Sequence, residues 1–135
     1  MLDEFKKKVY SIIEKRNLCS YMNNTKWDEL ITAVRNEMPF PPPFDIKYLT
    51  QDVIPQSVLN EDVAYWGAWH GEYFPPREYY FNIEWIKVRP TYLKHRGKLI
   101  APEVVDESKT FEAILIRYNI PYVEENGLYC IYGYR

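Results

Sequence analysis

Tyr79-Tyr80-Phe81-Asn82-Ile83-Glu84-Trp85-Ile86-Lys87-Val88 is the stretch from which the fold is read. Tyr79, Phe81, Ile83 and Trp85 recur at a period of two, and Tyr80, Asn82 and Glu84 take the alternate positions. This is the pattern of a half-buried strand, made of residue types that suit a pleated surface. Beyond Trp85 the phase flips, and Ile86 and Val88 become the apolar positions. Such a flip implies a β-bulge or a strand end buried on both faces. The central strand is therefore expected over 79–88.

Upstream, Asp62 to His70 holds Val63, Tyr65 and Gly67 on one parity and Ala64, Trp66 and Ala68 on the other. This predicts a second strand, apolar on both faces or bulged at Gly67. Gly71 to Glu78, with Pro75-Pro76, is the turn between the two. Phe44, Ile46 and Tyr48 alternate as a first strand, and Thr50 to Asn60, with Pro55, reads as a surface loop. Pro39-Phe40-Pro41-Pro42-Pro43 is extended. A polyproline run beside an aromatic is a ligand type for a partner's groove, but a stiff helix-to-strand connector is the preferred reading.

Two helices precede it. Leu2, Phe5, Val9, Ile12 and Ile13 recur at helical spacing, which predicts an amphipathic helix from Asp3 to Arg16, stopped at Asn17. Trp27, Leu30, Ile31, Val34 and Met38 make the stripe of a second helix, capped at Thr25 with Asp28 three residues on. Pro39 ends it by pushing Met38 out of the helical region.

Downstream, Pro90 ends the central strand or begins an edge. Thr91 to Lys98 is basic and expected to be irregular, and Leu99-Ile100 is a short extension. Ser108 or Asp106 caps a third helix with the stripe Phe111, Ile114, Leu115, Tyr118, closed by Asn119-Ile120-Pro121. Asn126-Gly127 between two strand-like runs signals a two-residue type I′ hairpin, with Val123 opposite Cys130 and Glu125 opposite Leu128. Two helices, three strands, one helix and a hairpin predict an α+β fold. It would be an antiparallel sheet of about five strands with helices packed on one face. A single domain is expected over 1–135, with 1–20 as a variable N-terminal extension.

The charge balance narrows the function. A net charge of −2 argues against general nucleic-acid affinity, which needs a basic face. No apolar run is long enough to span a membrane, and the first residues lack the layout of a signal peptide. Cys19 and Cys130 lack metal spacing and read as free thiols in a reducing cytosol. The aromatic fraction is 17%, with 13 tyrosines, and Tyr serves cores and contact surfaces alike.

No phosphate loop, His-Glu-x-x-His, Cys-x-x-Cys or nucleophile elbow is present. A metal site from His70, Glu72 and Glu84 would require the second and central strands to pair. Exposed or hydrogen-bonded histidines are the preferred reading, so no metal and no cofactor is expected. Glu84, among apolar strand residues, is either a general acid with a raised pKa or a structural carboxylate paired with Lys87, Arg89 or a tyrosine. The structural reading is preferred.

Two segments remain for binding. Trp66, Trp69, His70, Tyr73 and Phe74 crowd into nine residues, which read equally well as core alone or as a contact surface, since Trp and Tyr dominate binding hot spots. Lys94, His95, Arg96 and Lys98, preceded by Lys87 and Arg89 and interleaved with Tyr92, form the one basic stretch. It suits a phosphate, an RNA strand or an acidic partner, but a solvated loop is the preferred reading. Trp66 and Trp69 point to opposite faces of any regular strand, so one should be buried and the other exposed, unless a bulge at Gly67 turns both inward. The expected contact residues are Trp66, Trp69, His70, Tyr73, Tyr92, Lys94, His95 and Arg96.

Five motifs carry a resemblance. Tyr21-Met22-Asn23-Asn24-Thr25-Lys26-Trp27, Phe40-Pro41-Pro42-Pro43-Phe44, Ile83-Glu84-Trp85, Tyr92-Leu93-Lys94-His95-Arg96-Gly97 and Ile131-Tyr132-Gly133-Tyr134-Arg135 resemble a family of small bacterial proteins of unknown function. The likeness covers about Tyr21 to Arg135 and transfers no catalytic residue. It implies an association with toxin and immunity loci. The function expected is that of a cytoplasmic bacterial binding protein, an immunity protein that neutralises a toxin by stoichiometric binding. The alternatives are a small enzyme using Glu84 with His70 or His95, and an RNA-associated domain using Tyr92 to Lys98.

Overall fold

A computed structural model of the chain describes residues 1–54, 57 and 59–135; Pro55, within the expected loop, lies outside them. The chain forms α1 (Leu2–Arg16), α2 (Asn24–Glu37), β1 (Phe44–Tyr48), β2 (Ile83–Val88), β3 (Thr91–Lys94), β4 (Glu103–Asp106), α3 (Ser108–Arg117), β5 (Val123–Glu125) and β6 (Leu128–Tyr132). The fold is α+β. Its strands divide into a four-stranded antiparallel sheet, ordered β1-β2-β6-β5, and a separate antiparallel pair, β3-β4. No helix among the described residues is long and apolar enough to cross a membrane.

β2 is central, flanked by β1 and β6, but it is shorter than the alternation implied. The Pro75-Pro76 pair launches a 3₁₀ turn over Arg77–Asn82, and the strand begins at Ile83. The turn sorts the aromatics: Tyr80 is buried towards Trp27, whereas Tyr79 and Phe81 meet Phe5 of α1 at ring separations of 5.8 and 5.6 Å. The flip in phase is a β-bulge. Tyr48 faces Ile83 and Lys47 faces Trp85, which leaves Glu84 as the extra residue. The bulge turns both Ile83 and Ile86 into the core, the reorientation a bulge achieves.

The core lies between one face of this sheet and two helices. Trp27, Leu30, Ile31 and Val34 of α2 and Phe111, Ile114 and Leu115 of α3 pack with Ile83, Ile86 and Val88 of β2 and Ile131 of β6. α2 is capped by Asn23, not Thr25: the Asn23 side chain accepts from the Lys26 amide at 2.8 Å. The helix starts two residues early because Asn satisfies the orphan amide at least as well as Thr. It ends where expected, with Met38 extended before Pro39. Asp106 accepts from the Ser108 amide at the start of α3.

Two segments differ from the sequence reading. Residues 62–70 form no strand. Gly67 donates to Pro41 O at 3.0 Å, and a Cβ at Gly67 would lie 2.1 Å from Pro42 O. The segment therefore packs edge-on against the proline run instead of joining a ladder. The basic segment is not irregular: Thr91–Lys94 pairs with Glu103–Asp106, and Leu99-Ile100 lies in the connecting turn. The closing hairpin has the expected register, with Asn126 and Gly127 at φ 54° and 80°.

Candidate functional site

Trp66 and Trp69 separate into one exposed and one buried indole, although the segment that carries them is irregular and not a strand. Trp69 is fully buried at 0% exposure. Its indole Nε1 donates to Pro42 O at 2.7 Å, and its ring packs on Phe44 and stacks on Phe74. Arg35 of α2 closes the site by donating to the Trp69 carbonyl at 2.9 and 2.6 Å. Trp69 is thus a core residue. Trp66 is 55% exposed. Its ring stands edge-on to Tyr92 at 5.8 Å, and Tyr92 rests in turn on buried Phe40 at 4.5 Å. The proline run acts as the connector on which this row is built, with Phe40, Pro42 and Pro43 buried.

Tyr92 lies in β3 of the β3-β4 hairpin, which carries the exposed residues Lys94, His95 and Arg96. Arg96 donates to Ala101 O at 3.0 and 2.8 Å and pins the connecting turn. At that turn Leu99 is 99% exposed, and Ile100 is also exposed. Val63 O accepts from the Leu93 amide at 2.8 Å, which ties the Trp66 segment to the hairpin. Trp66, Tyr92, Lys94, His95 and Arg96 therefore belong to one connected unit. His70 precedes the 3₁₀ turn Gly71–Tyr73, and Tyr73 (75% exposed) ends it, beyond the buried Trp69.

The rest of the basic stretch serves other ends. Arg89 is buried, and its guanidinium donates to the carbonyls of Leu59, Asn60 and Asn126. Lys87 lies over the Trp85 ring at 4.5 Å.

Glu84 is clamped by two cations. Arg16 donates through Nη1 and Nη2 to its two oxygens at 2.7 and 3.0 Å, and Lys47 Nζ reaches Oε1 at 2.6 Å. Burial pushes the Glu84 carboxyl upward, but the hydrogen bonds from Arg16 and Lys47 outweigh it and hold the group below the usual range. The raised pKa of a general acid does not arise, and the partners are neither Lys87, Arg89 nor a tyrosine. Among the described residues, no three His, Cys, Asp or Glu side chains gather as metal ligands; the Glu72 side chain lies outside the described set. Both cysteines are free.

A family profile matches residues 9–135. The chain belongs to the DUF6678 family, a family of unknown function. The DUF6678 match begins inside α1, earlier than the motifs at Tyr21 and beyond suggested. It takes in buried Val9 and the Arg16 that reaches Glu84. No curated protein matches the chain, and no solved structure does.

Sequence reasoning missed several of these residues. Arg16 and Lys47 gave no signal, because an amphipathic spacing shows which face is polar and not which charge lies opposite. Arg35 and Arg89 bind carbonyl groups, which no side-chain pattern announces. The exposed pair Leu99-Ile100 was visible as an apolar dipeptide in a basic segment.

Proposed function

We propose that this chain is a binding protein that acts stoichiometrically through Trp66 and the β3-β4 hairpin. The observation that carries this reading is the mounting of Trp66: a half-exposed indole held edge-on by Tyr92, itself fixed on buried Phe40. Ordering a large aromatic before contact lowers the entropy cost of binding. Lys94, His95 and Arg96 supply a basic rim, and Leu99 and Ile100 add apolar area at the hairpin's turn. An aromatic anchor with a polar rim is the anatomy of an interface hot spot. The partner that fits is a protein presenting an apolar pocket bordered by carboxylates.

In its sharper form the partner is a toxin domain, neutralised by occlusion in a bacterial cytoplasm. The resemblance of the Tyr21, Phe40, Ile83, Tyr92 and Ile131 motifs supports this form. The clamped state of Glu84 favours a binder over an enzyme built on that carboxylate.

The test is calorimetric titration of the purified chain against the product of the adjacent open reading frame. A one-to-one complex is expected, weakened about thirtyfold by Trp66→Ala, the loss of a ~2 kcal/mol hot spot, with an unchanged melting temperature. A complex indifferent to Trp66→Ala and to Arg96→Ala, or none with any neighbouring product, overturns the reading.

A further inference from the structure

The sheet face opposite α2 and α3 holds a feature that the contact surface does not use. Residues opposite one another across antiparallel strands share a face. Lys87, Cys130 and Val123 form one such row, and Trp85 and Tyr132 another. Over Lys87, Cys130, Val123 and Tyr132 lies a cavity of about 410 Å³, whose lining also includes Arg89 and Glu125, while Trp85 lies beneath Lys87 outside the lining. A second cavity of about 200 Å³ shares Val123 and Tyr132 with the first and is walled by Tyr21, Pro121, Tyr122 and Arg135. The two form one trough, charged at one end and aromatic at the other.

The charged end holds unspent cationic capacity. Lys87 Nζ lies 4.5 Å over the Trp85 ring, and among the described residues it meets no carboxylate at ion-pair distance. Its cross-strand neighbour Asp45 is not so paired either. Arg89 spends Nε and Nη2 on carbonyls, and its Nη1 is ion-paired with Asp62 at 3.9 Å without a hydrogen bond, so Lys87 is the cation with capacity to spare and Arg89 Nη1 keeps only its hydrogen-bond valence. At the other end the Arg135 guanidinium lies 4.6 Å over Tyr132. Glu125 is the single carboxylate among the lining residues.

We propose that this trough is a binding site for a mononucleotide. The phosphate meets Lys87 and Arg89 Nη1, the ribose hydroxyls donate to Glu125, and the base lies in the tyrosine-walled cavity beside Tyr21, Tyr122 and Tyr132. Charge complementarity favours an anion: among the described lining residues three cations face the one carboxylate of Glu125, with Asp62 beside Arg89 and Asp45 opposite Lys87 outside the lining, and fixed cations bind phosphate strongly. The size lies within the range of small-ligand sites. A free phosphate would leave the aromatic half empty, and the chain's net charge of −2 opposes a long polyanion.

The full chain is titrated with adenosine monophosphate, with adenosine and inorganic phosphate as separate arms, by calorimetry and tryptophan fluorescence. The nucleotide should bind one-to-one and at least about tenfold more tightly than either fragment. Lys87→Gln should weaken it about tenfold while Lys87→Arg retains it. Trp85→Phe should abolish the fluorescence change and keep the heat. In a Cys19→Ser background, bound nucleotide should slow alkylation of Cys130, which lies at the floor of the trough. No heat and no protection with any common ribonucleotide at millimolar concentration overturns the proposal. Binding unchanged in folded Lys87→Gln and Tyr132→Ala variants, phosphate binding as well as nucleotide, or a short oligonucleotide binding more tightly than its monomer overturns it equally.

Discussion

Arg16 and Glu84, 68 positions apart in the chain, are joined by two parallel hydrogen bonds, Nη1 to Oε1 at 2.7 Å and Nη2 to Oε2 at 3.0 Å. Glu84 is the bulged residue of β2, so the last turn of α1 is fastened to the point where the central strand changes phase. Lys47 is 6% exposed and completes the cluster from β1, with its ammonium also donating to Tyr48 O and Gln51 O.

Removing the carboxylate should be costlier than removing the arginine. Glu84→Ala strands the buried Lys47 ammonium and is expected to cost ~3 kcal/mol, as when one partner of a buried pair is deleted. Arg16 is partly solvated, and Arg16→Ala should cost no more than about 1 kcal/mol. Urea unfolding of the two variants measures both values, and equal losses would contradict this ranking.

The same cluster sets a pH dependence. The folded Glu84 carboxyl lies below its ordinary value near 4.5, so the unfolded chain binds the proton more readily. Its contribution is complete above that ordinary value and is lost as the pH falls through the folded pKa. Stability should therefore drop below about pH 4.5, and Glu84→Gln should flatten that part of the curve. Unfolding midpoints measured from pH 3 to 7, roughly the window in which such linkage acts, give the slope.

Trp69 and Gly67 should respond as core positions. Trp69→Ala empties a fully buried site and leaves Pro42 O without its donor, with an expected cost of ~4 kcal/mol. Gly67→Ala drives a methyl group into Pro42 O, and overpacking of that kind costs ~2 kcal/mol. Thermal melts of both variants beside Trp66→Ala should show two destabilised proteins and one unchanged.

The hairpin turn makes a further prediction. Gly127 has φ 80°, and a Cβ there would lie 3.1 Å from Arg89 Nη1, whose guanidinium is already held by three carbonyls. Gly127→Val should cost more than ~1 kcal/mol, whereas Asn126→Gly should be close to neutral. A melting temperature unaltered by Gly127→Val would contradict the turn geometry.

What could be read in advance follows the physics of each segment. The hairpin and the three helices announce themselves because their signals are local: an Asn-Gly turn, and apolar residues three and four apart. Glu84 also advertised its bulge, through the change of phase at Trp85. Residues 62–70 misled because their alternating apolar residues answer to Gly67 lying on the proline run, a distant backbone contact that no local pattern encodes. The Trp66 and Trp69 division agrees with the expectation, but not for its reason, because the strand whose alternation implied it does not form. Which of the two turns inward depends on Pro42 and Arg35, and those partners are set by tertiary packing.

The strand order has a kinetic meaning. β2 lies between β1 and β6, and β6 comes from the last part of the chain. The Ser20–Tyr134 bridge and the paired hydrogen bonds between Cys19 and Arg135 then join residues from opposite ends of the sequence. Contacts of such long separation incur their loop-closure entropy before they return any stabilisation. The α2 and α3 helices and the β5-β6 hairpin can each form early from local contacts. Insertion of β6 beside β2 is then the slow event, and until it happens the apolar edge of the central strand stands open to other chains.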